Sequence, residues 1–192
     1  MKIDETKDVI LNVAATIFSK FGFHKTTVDE IARAAHKAKG SVYYHFKSKE
    51  ELFQGVVDKE FQILRGELVK AIDSGANAKE KLANYITVRM KTLNELTNFY
   101  DALKNDFLTY LGFIEQIRQR YDNEETILIK SILTGGVNNN EFEIMNVELT
   151  APAILTALKG LEIPFFIEDK YNEMENRLNE LTRIMIRGME KR

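Results

Sequence analysis

Two helix-start signals bracket one short stretch of this chain and decide how its N-terminal part can fold. Thr27 with Glu30, and Ser48 with Glu51, share the S/T-x-x-E spacing in which a hydroxyl and a carboxylate satisfy the first free N–H groups of a helix. Between them lies "KGSVYYHFK", residues 39–47. Its centre has strand propensity, but there is too little chain between two capped helices for a paired strand, so a short helix is predicted. At 100° per residue, Val42 and Phe46 share one face, and the opposite face centres on Tyr44 with Gly40 and Ser41 close to it. Tyr43 and His45 flank it. One side is apolar; the other offers hydroxyls, an imidazole and bare glycine backbone.

Helical periodicity continues along the chain, which has only two prolines, Pro152 and Pro164. Over residues 5–21, Ile10, Ala14, Ile17, Phe18 and Phe21 form a stripe suited to burial, and Gly22 ends it. The helix begun at Thr27 can run to about 35, with "HKAKG" as the following turn. The helix begun at Ser48 can reach 73. Asn77 caps another to about 96, with Leu82, Ile86, Met90 and Leu93 inward. Helices are also predicted over 98–110, over 112–133, from 150 with Pro152 in the first turn, and over 171–189. "TGGVNNNEFE" reads as the longest break. The expectation is an all-α chain of about nine helices, divided into an N-terminal domain, 1–48, and a helical body, 49–192.

Composition narrows the function classes. The chain has no cysteine, which excludes disulfides, thiolate catalysis and Cys-based metal sites. No histidine follows His45, so the Glu-x-x-His pairs of a di-iron bundle cannot form in the body. No P-loop, dinucleotide fingerprint or G-x-S-x-G occurs. The chain therefore reads as no enzyme, with no cofactor and no metal. The longest apolar run, "ILTALKGLEIPFFI", is interrupted by Lys159 and Glu162 and is too short for a bilayer, which gives a cytoplasmic expectation. The net charge of -2 hides an asymmetry: residues 1–49 carry nine Lys/Arg against five Asp/Glu, the remainder 18 against 24. A basic module on an acidic body suggests an anionic partner for the module.

Three short helices, the second and third joined by a tight turn, make a helix-turn-helix whose last helix enters a DNA major groove. At this point "ATIFSKFGFHKTTVDEIARAA…KGSVYYHFKSKEELF" resembles the DNA-binding domain of the TetR family of transcriptional repressors, through Phe18, Gly22, Thr27, Ile31, Ala32, Gly40, Tyr44, Phe46, Lys49 and Leu52. The resemblance implies a ligand-responsive repressor that binds a palindromic double-stranded DNA operator as a homodimer and is released by a small-molecule effector. It implies DNA contacts at Thr27, Lys39, Gly40, Ser41, Tyr43, Tyr44, His45 and Lys49. Lysines at helix starts suit phosphate neutralisation, and glycine suits close backbone approach. The turn departs from the family, which usually has Gly at His36, a small or apolar residue at Lys37 and a Ser/Thr cap at Ala38. His36 is then expected in a left-handed conformation, Lys37 adds a phosphate contact, and the absent cap costs about 1 kcal/mol. A helix-turn-helix serving protein partners is the alternative.

The resemblance also makes the middle helices a ligand pocket and the last two a dimer interface. Tyr85, Met90, Phe99, Tyr100, Phe107, Tyr110 and Phe113 are its candidate walls, since aromatic surfaces with a few polar groups suit a small molecule. The segment "AILTALKGLEIPFFI" is apolar on more than one face and must be covered all round. A partner subunit, joined by the stripe Met174, Leu178, Leu181, Met185 and Met189, is one cover; a central place in a monomer's core is the other.

Overall fold

The computed structural model describes the backbone of residues 2–96, 111–162 and 171–191, and the side chains of 5–96, 119–162 and 175–191. Its elements are helices: α1 (Lys2–Phe21), α2 (Val28–Ala34), α3 (Lys39–His45), α4 (Lys49–Asp73), α5 (Ala78–Glu95), α6 (Leu111–Asn138), α7 (Val147–Glu162) and α8 (Tyr171–Met189). Among the described residues the only strand-like pairing is an isolated bridge between Phe142 and Glu190. The helix expected over 98–110 lies outside the described residues. The chain forms two compact units, one built mainly on Met1–Gln62, the other on Ile63–Glu95 and Glu115–Arg192, so α4 begins in the first and continues in the second.

In the first unit α1, α2, α3 and the start of α4 surround Ile10, Ala14, Phe18, Ile31, Val42 and Leu52, all buried. Phe18, Phe23 and Phe53 form an aromatic triangle with centroids 5.8, 5.1 and 5.1 Å apart. The expected α1 stripe is trimmed at its end. Ile17 is half-buried and Phe21 is exposed, because Phe21 is the last helical residue before Gly22 turns away with φ 79°. The Lys20 ammonium lies 5.3 Å from the Phe21 ring instead.

The second unit packs Leu68, Leu82, Tyr85, Ile86, Met90, Ile129, Leu133 and Leu158 at its centre. Two predicted boundaries are corrected. The break expected at "TGGVNNNEFE" is helical through Gly135 and Gly136, and α6 ends only at Asn138. Gly136 has a packing reason: a Cβ there would stand 2.3 Å from Phe142 Cδ2 and 2.8 Å from Ala78 Cβ. The next helix starts at Val147, not near 150, because the Asn146 side chain accepts from the Leu149 amide at 3.1 Å. Pro152 therefore sits inside α7 and beyond its first turn.

Candidate nucleic-acid interface

The reading head is held by local bonds that the sequence spells out. Thr27 adopts extended backbone, its hydroxyl accepts from the Glu30 amide at 3.3 Å, and its own amide donates to Glu30 Oε2 at 2.8 Å. The capping box is complete, and these bonds hold the Glu30 carboxyl below its usual range. The donors of Thr27 and Glu30 are thus internally satisfied. At the start of α4 the Glu51 amide donates to Ser48 Oγ at 3.1 Å, while the Lys47 amide donates to Glu51 Oε2 at 2.6 Å.

The turn between α2 and α3 shows how the three departures are accommodated. His36 takes φ 51°, the left-handed region where glycine is easiest. Its amide donates to Arg33 O at 3.1 Å, and the Lys37 amide to Ala32 O at 2.9 Å, the paired pattern of a Schellman stop. Lys37 is half-buried. Ala38 has the extended backbone of a cap but no side-chain bond to offer α3.

On α3 the angular reading and the burial agree. Val42 and Phe46 are buried, Ser41 and His45 half-buried, and Tyr43 and Tyr44 are 43% and 75% exposed. A Cβ added at Gly40 would meet nothing within 4 Å, and its φ is not positive, so the chain's own fold places no demand for glycine there. Lys39 opens α3 and pairs with Asp29 of α2 at 2.9 Å, with both side chains more than half exposed. That hydrogen bond, and then the Asp29 charge, raise the Lys39 pKa. Lys49 behaves differently. Its Nζ donates inward to Phe23 O at 2.9 Å and Thr26 O at 3.1 Å. Lys25 and Lys47 are exposed on the same unit and were passed over by the sequence reading, although cations beside Thr27 and at the end of α3 are the signal that would find them.

The candidate pocket residues part company. Phe99, Tyr100, Phe107 and Tyr110 lie outside the described residues, and Phe113 is on α6 with its side chain outside them. Tyr85 and Met90 are fully buried on α5. Tyr85 donates its hydroxyl to Glu125 Oε2 at 2.6 Å, and Arg89 Nε donates to the same oxygen at 2.6 Å. Arg89 Nη2 donates to Glu162 Oε1 at 2.9 Å, which ties α5 to α6 and α7. Burial, and then the Glu125 charge, push the Tyr85 hydroxyl well above its usual pKa. Burial alone would lower the Arg89 pKa, but Glu125 and Glu162 outweigh it and the guanidinium stays charged. Sequence reading missed Arg89, Glu125 and Glu162. The available signal was register: each stands four residues after a buried apolar or aromatic position, Tyr85, Tyr121 and Leu158. Among the described residues no acid or histidine cluster suits a metal, and no helix is long and apolar enough to cross a membrane.

The head's fold agrees with what comparison finds. The family described as "Bacterial regulatory proteins, tetR family" matches residues 10–56, which take in the second part of α1, all of α2 and α3, and the start of α4. The chain is similar over nearly its whole length to the HTH-type transcriptional regulator QacR of Staphylococcus aureus, 29% identical across 96% of this chain and 98% of that one. It is 38% identical to the HTH-type transcriptional repressor KstR2 of Mycolicibacterium smegmatis, over 71% of this chain and 67% of the relative. A crystal structure of a TetR-family transcriptional regulator from Cytophaga hutchinsonii shares the fold, with a TM-score of 0.81, 19% identity and coverage of 100% and 98%. A helix-turn-helix head with this turn, on an all-helical body of matching length, makes the chain a member of the tetR family of bacterial regulatory proteins.

Proposed function

We propose that this DNA-binding transcriptional regulator is a repressor that holds a palindromic operator as a homodimer and lets go when a small molecule occupies its second unit. The observation that carries the reading is the presenting face of α3. Tyr44 stands 75% exposed beside Tyr43 and an unobstructed Gly40, while Val42 and Phe46 anchor the helix from below. Glycine within a helix costs up to about 1 kcal/mol relative to alanine, so a glycine in the first turn of α3 that the fold does not need points to another molecule coming close. Gly40, Ser41, Tyr43, Tyr44 and His45 then meet base edges and backbone, and Lys37 and Lys39 meet phosphates.

Dimerisation through α7 and α8 is supported by what α7 leaves uncovered. Leu149 is 69% exposed, and Ala153, Thr156, Ala157 and Gly160 share exposure along the helix. On α8, Ile184 is 55% exposed. Two-fold symmetry would place two copies of α3 about 34–36 Å apart, one duplex turn. With the domain boundary placed at 48/49, ahead of the point in α4 where the first compact unit ends, the body is the effector-binding and dimerisation domain, working in the cytoplasm and without catalysis. Because α4 is the covalent route from head to body, an effector that favours a different α4 position lowers operator affinity by its own preference between the two states.

Footprinting on the protein's own promoter, followed by a salt titration, tests the reading. Protection that weakens steeply as salt rises is expected from counterion release. Absence of protection at low salt, or binding indifferent to salt, would sink it.

A further inference from the structure

Lys49 is the first residue of α4, at the place where the family resemblance implies a phosphate contact. The geometry points elsewhere. A lysine ammonium has three N–H donors. Two of them reach the carbonyls of Phe23 and Thr26, at 2.9 and 3.1 Å. The ammonium also lies 4.3 Å from the centre of the Phe23 ring, within cation–π range of the side left over. Both carbonyls belong to the connection between α1 and α2. That connection is itself closed: Thr26 is buried, and its hydroxyl donates to Gly22 O at 2.8 Å. Phe23 packs against Phe18 and Phe53, the latter on α4. The next residue, Thr27, is the cap that starts α2.

We infer that Lys49 is a positioning residue of the reading head and not a phosphate ligand. It bolts the first turn of α4 to the loop that sets where α2 begins, and so fixes the angle at which α2 and α3 stand on α4. Lys39 makes the contrast: among the described residues it is bonded to one exposed carboxylate, whereas the Lys49 donors are met by backbone and ring inside the head. A phosphate would have to draw on the one N–H left beside the Phe23 ring or strip a carbonyl of its donor.

The inference rests on the DNA-binding reading, and its test separates the two. Full-length wild type, Lys49→Met and Lys49→Arg are compared for affinity to the footprinted operator across a salt series, for affinity to a scrambled duplex, and for thermal unfolding. Loss of operator binding by wild type itself is failure of the DNA reading, not of this one. For Lys49→Met the expected result is operator affinity down by about tenfold or more, with an unchanged slope of log K against log salt and a smaller loss on the scrambled duplex. A slope reduced by about 0.9 per protomer would make Lys49 a phosphate ligand and overturn the inference. A lowered melting temperature with unchanged operator affinity would overturn it too, leaving only structural support. Lys49→Arg keeps the charge but replaces a compact ammonium with a longer planar fork, whose donors must reach the two carbonyls and the ring from a displaced position. It decides the matter if the Met variant does not fold: weakened operator binding at unchanged slope is expected, and near-normal binding would overturn the inference.

Discussion

Lys39 and Arg89 are both cations bonded to carboxylates on a neighbouring helix, yet they sit in opposite surroundings. Lys39 meets Asp29 at 2.9 Å with both side chains more than half in solvent. Arg89 meets Glu125 and Glu162 at 2.6 and 2.9 Å with all three side chains buried. An exposed pair contributes only about 0–1 kcal/mol and can exchange its partner at little cost. A buried one leaves an uncompensated charge when either side is removed, and that costs about 3–5 kcal/mol. The surface pair is suited to trading a carboxylate for a phosphate, and the buried cluster to holding α5, α6 and α7 in a single arrangement.

The sharpest way to break the comparison is to truncate Arg89. Arg89→Ala should destabilise the protein by about 3–5 kcal/mol in urea unfolding; a loss below about 1 kcal/mol would mean that the cluster behaves like the surface pair. The same cluster predicts an alkaline effect. Because the folded pKa of Tyr85 is raised above its unfolded value of about 10, its contribution is fully present below that value. It is lost as pH rises through the folded pKa. In an alkaline titration followed by tyrosinate absorbance, one of the seven tyrosines should resist until the fold opens. Ionisation of all of them together in a folded protein would contradict the burial.

Smaller effects sharpen the contrast. Gly136→Ala pushes a methyl into Phe142 and Ala78 and should cost about 1–3 kcal/mol by overpacking, readable as a drop in melting temperature. Ala38→Ser supplies the missing cap of α3 and should add about 1 kcal/mol, visible in the same assay. Lys39→Met should change stability by less than about 1 kcal/mol, while the salt slope of operator binding falls by about 0.9 per protomer. An unchanged slope would show that Lys39 stays with Asp29 on DNA.

The head was legible because its signals are local. Thr27 with Glu30, Ser48 with Glu51, and the α3 face are each contained within a few residues, and His36 betrayed its left-handed turn by standing where glycine is usual. The body was less legible because its decisive contacts are distant in sequence. Gly135 and Gly136 read as helix breakers, but Gly136 is set by Phe142 and by Ala78 from another helix. Glu125 and Glu162 are brought together by Arg89, which lies 36 and 73 residues before them in the chain. Lys49 shows the limit within the head itself. Its place at a helix start was readable, but the direction of its ammonium depends on carbonyls on the far side of α2 and α3 in the chain.

Gly40 gives the molecule two answers to one question. A library of variants sorted for thermal endurance should enrich alanine there, since a Cβ meets open space and alanine is the better helix former. The same library sorted for operator occupancy should discard it. Positions where two such sorts disagree would trace the outline of the absent DNA on the surface of the protein, without any complex having been crystallised.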